Sequence, residues 1–527
     1  MRIAMRKGAI LLIIMMSYSA FLMAQQKKII YKADSARYDE DFLPGVERLI
    51  GNVVFSHDKT IGYCDSAHFY SNLNQIVAFG KIVRIHVNDS VTLYGKRVFY
   101  DGNLKVASIA QNVILMDPSS TLYTDSLIYE MNNNLAYYVV GGKMVNDETT
   151  ITSREGHYYT QTNEVILNRN VHLVNNDYTM DCASLKYNTQ DKIVYFTSRT
   201  KLVTREDSSV MMTSSGWYDT ERDISNLYGD VEIYKKSQMV IGDSIFYDKN
   251  LGFGIGRHHV RIADTAKNYI LQGDYVEYYE SGGMSTATDS AMLILIDESK
   301  DSLYLHADTL NILLDSLQEP QLMLAYNHVK FYRADMQGAC DSMAYEAPDS
   351  ILTLYYNPVI WSDENQLTAD TIRFRFLPDD RIQIDFLKSG FITSSLFDET
   401  EFNQIKGVNI VGYIHDKKLY QVDVINNAEC LYYILEEDTS LVGINYSVTS
   451  EMSVFLEDNK VKTITLYNNP DGKIYPDSGL SKEDKILKDF RWLRPYRPLS
   501  ILDIFHTPMP RYKQELPNSD SPPDKEE

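Results

Sequence analysis

The sequence predicts an all-β fold, an elongated roll of roughly 26 antiparallel strands whose folded sheet encloses a hydrophobic groove. Three observations carry this. Anchor residues recur at a near-constant spacing, apolar and polar residues alternate after each anchor, and polar turns rather than helical crossovers join the strands.

The anchors are Asp-Ser or Asp-Thr pairs at Asp34, Asp65, Asp125, Asp243, Asp308, Asp341 and Asp370. Asp181 and Asp274 hold the same phase, and Lys96, Arg154, Ser214 and Lys406 fill the gaps. The thirteen anchors are separated by 27 to 36 residues, the mark of a repeat architecture. Positions two and four beyond an anchor are apolar. They include Ala67 and Phe69, Val98 and Tyr100, Leu127 and Tyr129, Leu185 and Tyr187. Further along come Ile245 and Tyr247, Val276 and Tyr278, Leu310 and Ile312, Met343 and Tyr345, and Ile372 and Phe374. Intervening positions such as Ser66, His68, Ser184, Lys186, Arg373 and Arg375 are polar. Successive strand residues face opposite sides, so a period of two defines a strand with one apolar face. Asn72–Asn74, Asn132–Asn134 and Asp248–Asn250 then read as turns into a second strand. No segment long enough for a helical crossover intervenes, which disfavours βαβ units.

Two strands per repeat, stacked about 4.8 Å apart, would extend on the order of 120 Å. A flat sheet that long and apolar on one side cannot stay in water. Folding each strand over buries the apolar face and makes an elongated trough. The expected organisation is a signal segment over 1–24, β-repeats over 28–475 (two or three tandem units), and a tail over 476–527. The tail is expected to hold a short helix at Ser481–Asp489, an aromatic, basic stretch Trp492–Pro498 that either docks a partner or caps the last strand, and a disordered Pro517–Glu527.

Composition agrees with a folded, exported β protein. Hydrophobic residues make up 44% and charged residues 23%, and Tyr is abundant at 39 against 19 Phe and 3 Trp. The net charge of −21 opposes nucleic-acid binding and general adhesion to anionic membranes. Arg2, Arg6 and Lys7, the apolar run Ala9–Met16 and Ala24-Gln25 read as a cleaved secretory signal, implying a periplasmic protein with possible outer-membrane association. The repeat sets Cys64 and Cys182 roughly 40 Å apart, beyond disulfide reach of about 7 Å. The four cysteines, with Cys340 and Cys430, are expected to be free core residues.

No catalytic residues, cofactor or metal site are expected. His258-His259 lies in a strand, where a surface or turn role outweighs metal binding. Gly252-x-Gly254-x-Gly256 lacks the strand–turn–helix setting of a dinucleotide loop. The aspartates, one per repeat and about 10 Å apart, are too distant to share a calcium ion and are read as bonding backbone groups at a bend.

The anchored strands, their turns and the recurring corner phrase resemble the OstA-like (LptA) family. That phrase is Gly51-Asn52-Val53, Gln111-Asn112-Val113, Arg169-Asn170-Val171, Gly229-Asp230-Val231 and Asn327-His328-Val329. The resemblance covers about residues 28–470. It implies a β-jellyroll (β-taco) that shields lipid A acyl chains of lipopolysaccharide between inner and outer membranes, without enzymatic activity. It also implies partners among the inner- and outer-membrane lipopolysaccharide-transport proteins, reached by edge-strand β-augmentation. The chain departs from the short bridge proteins in its many repeats. The interior residues expected to meet lipid are Phe69, Val98, Tyr100, Leu127, Tyr129, Leu185, Tyr187, Ile245, Tyr247, Val276, Tyr278, Leu310, Ile312, Met343, Tyr345, Ile372 and Phe374. A closed core with nothing bound remains compatible with the same pattern. Two rivals stand beside the carrier: a structural or adhesive β-repeat protein, and a β-helix enzyme acting on polysaccharide.

Overall fold

The structure, a computed structural model, describes residues 27–510 except 39, 42, 43, 88, 89, 148, 297–301, 318, 417, 437–439, 458 and 459. The expected signal segment and Pro517–Glu527 lie outside the described residues. The chain divides into two compact units, Met1–Asp223 and Ile224–Glu527.

Each unit is an antiparallel meander in which every arm pairs with the arms before and after it. The first unit holds 18 strand segments, from Ile30–Lys32 to Ser215–Asp219. Five of its arms are broken in two, so these segments make 13 arms. The second holds 20 segments, from Ile224–Lys235 to Asp471–Tyr475, and five broken arms leave 15. The described residues thus contain 28 arms against the roughly 26 expected from the repeat count. The extra segments arise where a bend interrupts the ladder, as at Val139–Gly141 between Leu135–Tyr138 and Gly142–Asn146. The ladders are antiparallel throughout, which removes the parallel β-helix alternative. No helix among the described residues is long and apolar enough to cross a membrane.

The corner phrases make the bends. Gly51 and Asn52 have φ of 81° and 43°, Gln111 and Asn112 70° and 54°, and Arg169 and Asn170 64° and 55°. Gly229 and Asp230 (72°, 50°) and Asn327 and His328 (61°, 53°) repeat the pair. Left-handed backbone is tolerated by Gly, Asn and Asp, which explains seven of these ten residues but not Gln111, Arg169 or His328. Each pair is a bulge that shifts the register, between Ile50 and Val53 or Asn168 and Val171 for example, and strengthens the local bend. The following Val53, Val113, Val171, Val231 and Val329 then point inward and are buried.

The anchor aspartates brace these corners. Asp65 Oδ2 accepts the Lys81 amide at 2.8 Å and Asp274 Oδ1 the His259 amide at 3.2 Å. Asp243 and Asp308 instead pair with His259 and His328 on the neighbouring bulge, and Asp181 with His172 two residues beyond one. His258 and His259 are therefore the bulge pair of one corner, both at positive φ. His259 is raised above the usual histidine range by its hydrogen bond to Asp243. No group of three metal-ligating side chains occurs among the described residues.

In the first unit the two halves of the sheet demonstrably face each other. Thr92, in the ladder row of Ser56 next to His57, lies eight residues along its strand from Tyr100, or about 26 Å in a flat sheet. Yet His57 Nδ1 and the Tyr100 hydroxyl are 2.7 Å apart. Only a sheet doubled over at its bulges brings them together.

The tail's short helix falls at Asp503–His506, not at Ser481–Asp489. Residues 481–490 form turns, because Gln404 takes the backbone groups a helix would use internally: Gln404 Nε2 donates to the Lys485 carbonyl at 2.8 Å and the Leu487 amide donates to Gln404 Oε1 at 2.8 Å. Gln366 repeats the device with the Arg491 carbonyl and the Leu493 amide, both at 2.7 Å. Arg497 Nε then donates to Gln337 Oε1, and Lys330 Nζ to the Thr507 carbonyl. The aromatic, basic stretch thus docks onto its own unit as a third layer over the outer face of one half-sheet. Leu487 packs with Phe391, Leu431, Tyr433 and Ile444, and Leu493 with Ala339, Val359 and Trp361.

Candidate functional site

The interior face is built by the positions that the alternation marks. In the first unit Phe69, Val98, Tyr100, Leu127, Tyr129, Leu185 and Tyr187 are all buried. In the second, Ile245, Val276, Leu310, Ile312, Met343, Ile372 and Phe374 are buried, while Tyr247, Tyr278 and Tyr345 are half-buried. Ladder register brings several side by side: Phe69 across from Ile76, Tyr100 across from Ala107, and Tyr278 across from Gly254 and Ser285.

The mouth between the half-sheets is closed in the first unit by a row of polar contacts. Asp58 bridges Lys105 at 2.6 Å and Lys27 at 3.0 Å, and the Lys105 and Lys27 hydrogen bonds hold its carboxyl down at about 2. The Thr60 hydroxyl contacts Met131 Sδ at 3.3 Å. The Tyr158 hydroxyl donates to Asp117 Oδ2, and Ser119 and Thr189 hydroxyls meet at 3.0 Å. Asn146 Nδ2 donates to the Thr189 carbonyl at 2.9 Å and reaches the Tyr187 hydroxyl at 3.4 Å. These tyrosines bury an apolar ring while the hydroxyl bonds the opposite lip. Burial pushes Tyr158 and Tyr187 up to about 12.

Interior glycines show the same closure. A Cβ on Gly62 would stand 2.1 Å from the Phe55 ring, and one on Gly142 or Gly156 within 2.5 Å of the Tyr138 ring. Each glycine is the bed of an aromatic side chain, so the space is already filled.

The second unit differs near its start. Ladder pairing carries the inward face of Ile224–Lys235, Gln238–Asp248, Phe253–Asp264, Tyr269–Tyr279 and Met284–Thr288 through Gly242, Gly254, Gly256, Gly273, Ser285 and Ala287. This is a floor of small residues. A Cβ on Gly254 would meet Tyr247 Cδ2 at 3.4 Å and Tyr278 Cβ at 3.9 Å; on Gly242 the nearest side-chain atoms are at 3.5 and 3.6 Å. These are ordinary contacts, so both positions have room. The walls are only partly covered: Ile233, Val240 and Ile262 on one half-sheet, Tyr247 and Tyr278 on the other, are half-buried. Burial raises the Tyr247 and Tyr278 hydroxyls above their ordinary value. Tyr247 donates to Glu280 Oε2 at 3.1 Å on its own lip, and the Tyr278 hydroxyl has no hydrogen-bond partner among the described residues.

The small floor was missed by reasoning from the anchors, which fix two positions per repeat and ignore the second strand. The signal was present as Gly252-x-Gly254-x-Gly256, whose glycines at 254 and 256 fall on one face of a strand. The four cysteines are free as expected; Cys64, Cys340 and Cys430 are buried and Cys182 half-buried.

Fold and interior together define a class: an antiparallel β-repeat sheet doubled at periodic bulges around an apolar interior. Comparison with known proteins places part of the chain more narrowly. Residues 25–183 match the family model described as OstA-like protein, so this stretch is OstA-like in sequence. Among solved structures, LptH of Pseudomonas aeruginosa, the LptA homologous periplasmic component of its lipopolysaccharide transport device, aligns at 18% identity. That alignment covers 20% of this chain and 78% of LptH with a TM-score of 0.19, too low to carry an argument. No curated protein matches the chain.

Proposed function

We propose that this protein is a non-enzymatic carrier of the lipopolysaccharide-transport type, exported to the periplasm, that shelters lipid A acyl chains inside its doubled sheet. The observation that carries the reading is the coincidence of the OstA-like stretch with an interior face apolar in arm after arm. Relative to water, an acyl chain gains roughly 0.8 kcal/mol per methylene in a dry enclosure, and the bulged corners supply an enclosure one sheet can make alone. The free edges suit handover. Among the described residues Ile30–Lys32 and Ser35–Tyr38 pair on one side only and are largely exposed, so they can extend a partner's sheet at little cost.

The test is depletion in the source cell with lipopolysaccharide measured at the surface. The carrier reading expects surface lipopolysaccharide to fall and the glycolipid to co-purify with the tagged protein. Undiminished surface delivery, with no glycolipid on the folded protein, overturns it. It would leave a structural β-repeat role.

A further inference from the structure

We infer that the acyl chains sit at one place, the small-residue chamber at the start of the second unit, and that the interior of the first unit is a sealed spacer. This rests on the carrier reading above and narrows it to named residues.

Three independent features coincide there. A Cβ on Gly242 or Gly254 would meet only ordinary contacts, whereas Gly62, Gly142 and Gly156 of the first unit are overlain by aromatic rings. The flanking apolar residues Ile233, Val240, Ile262, Tyr247 and Tyr278 are half-exposed, whereas the large apolar inward residues of the first unit's strands from Glu47–His57 to Tyr178–Asn188 are buried. The lip is also unlatched: Tyr247 bonds its own side and Tyr278 nothing, where the first unit ties lip to lip through Tyr100–His57, Tyr158–Asp117 and Tyr187–Asn146.

The shape and chemistry select the occupant. A floor of glycine, alanine and serine between apolar walls accepts a slim chain without polar groups. A polypeptide strand would bring amides into a site whose sheet backbone is already paired on both sides, leaving them unsatisfied at about 1–3 kcal/mol each. The chain's own tail is seated elsewhere, on the outer face against Gln404, Gln366 and Gln337. A phospholipid or free fatty acid offers the same hydrocarbon, so the source must be separated by experiment. The commitment is to the glycolipid.

The test uses the purified full-length chain with p-benzoylphenylalanine replacing Tyr247, Tyr278, Tyr100 or Tyr129 in turn. Each is irradiated with lipopolysaccharide, with phosphatidylethanolamine vesicles, or with palmitate. Crosslinking to lipopolysaccharide at 247 and 278 should exceed that at 100 and 129 by about tenfold or more, equivalent to ~1.4 kcal/mol. Gly254→Leu, which fills the chamber, should cut the yield at 278 by a similar factor with the thermal unfolding midpoint kept. Equal or greater yield at 100 and 129 overturns the inference and leaves the carrier reading standing. So does a Gly254→Leu chain that still crosslinks. Preference for phosphatidylethanolamine or palmitate overturns the assignment of the source. Absence of any lipid crosslink at all four positions sinks the carrier reading itself.

Discussion

The two units use one repeat and one corner device, yet their interiors differ. In the first, aromatic side chains lie over interior glycines and tyrosine hydroxyls tie the lips, so the roll is a closed core. In the second, Gly242 and Gly254 leave room for a Cβ while Gly256 and Gly273 are covered by Val260 and the Thr288 carbonyl, and further along a half-sheet carries apolar residues on both faces beneath the tail. The difference teaches that a doubled β-sheet becomes a groove by omission. The backbone frame is common; what decides is whether a large side chain from the facing half reaches the floor.

The largest effect should come from the third layer. Leu487→Ala and Leu493→Ala are each expected to cost about 2–5 kcal/mol, because each leaves a hole at the centre of the layer that covers these residues. Limited proteolysis should show the loosening within Ile224–Glu527 and spare the first unit; equal loss in both would break the contrast drawn here.

Next come the interior glycines. Gly62→Val drives a branched side chain into the Phe55 ring and should destabilise by about 1–3 kcal/mol. Gly254→Ala should change stability by less than about 1 kcal/mol, since its Cβ has room and alanine lowers the unfolded chain's entropy. Chemical denaturation of the two variants side by side measures the difference, and similar losses would show the chamber to be no roomier than the sealed core.

The latch gives a third comparison. Tyr158→Phe removes the donor to Asp117 and should cost about 1–3 kcal/mol, whereas Tyr278→Phe removes a hydroxyl with no partner and should lie within about 0.5 kcal/mol of the parent. The smallest effect concerns pH. Tyr158 and Tyr187 are pushed up to about 12 by burial, above the ordinary value of 10.0. A folded value above the unfolded one means their contribution is whole below pH 10 and is lost as pH rises from 10 toward 12. Tyrosine absorbance should therefore show late ionisation coupled to opening of the first unit, and Tyr187→Phe should narrow that transition. Exposed tyrosines ionise at about pH 10 in any case; a titration with no later-ionising fraction and no unfolding would contradict a sealed interior.

Much of this was legible beforehand. The residues that the alternation marks after each anchor are buried or half-buried, since side-chain direction in a strand has period two and survives any folding of the sheet. The corner phrases were visible as motifs, but their meaning, two consecutive left-handed residues, emerged only from the backbone. The tail was misread as helical at Ser481–Asp489 because its local pattern takes no account of Gln404, 81 residues away from the Lys485 carbonyl it captures. The second apolar face was available in Val359-Ile360-Trp361 and Cys430-Leu431-Tyr432-Tyr433, runs apolar without alternation that signal cover on both sides.

By itself, the sequence determined the strands, their inward face, the period and the places where the sheet can bend. These follow from local sterics and a two-residue periodicity. Tertiary structure alone decided which interior is full and which has room, because that depends on residues that meet only after the sheet doubles. His57 reaches Tyr100, Phe55 lies over Gly62, and nothing comparable lies over Gly254.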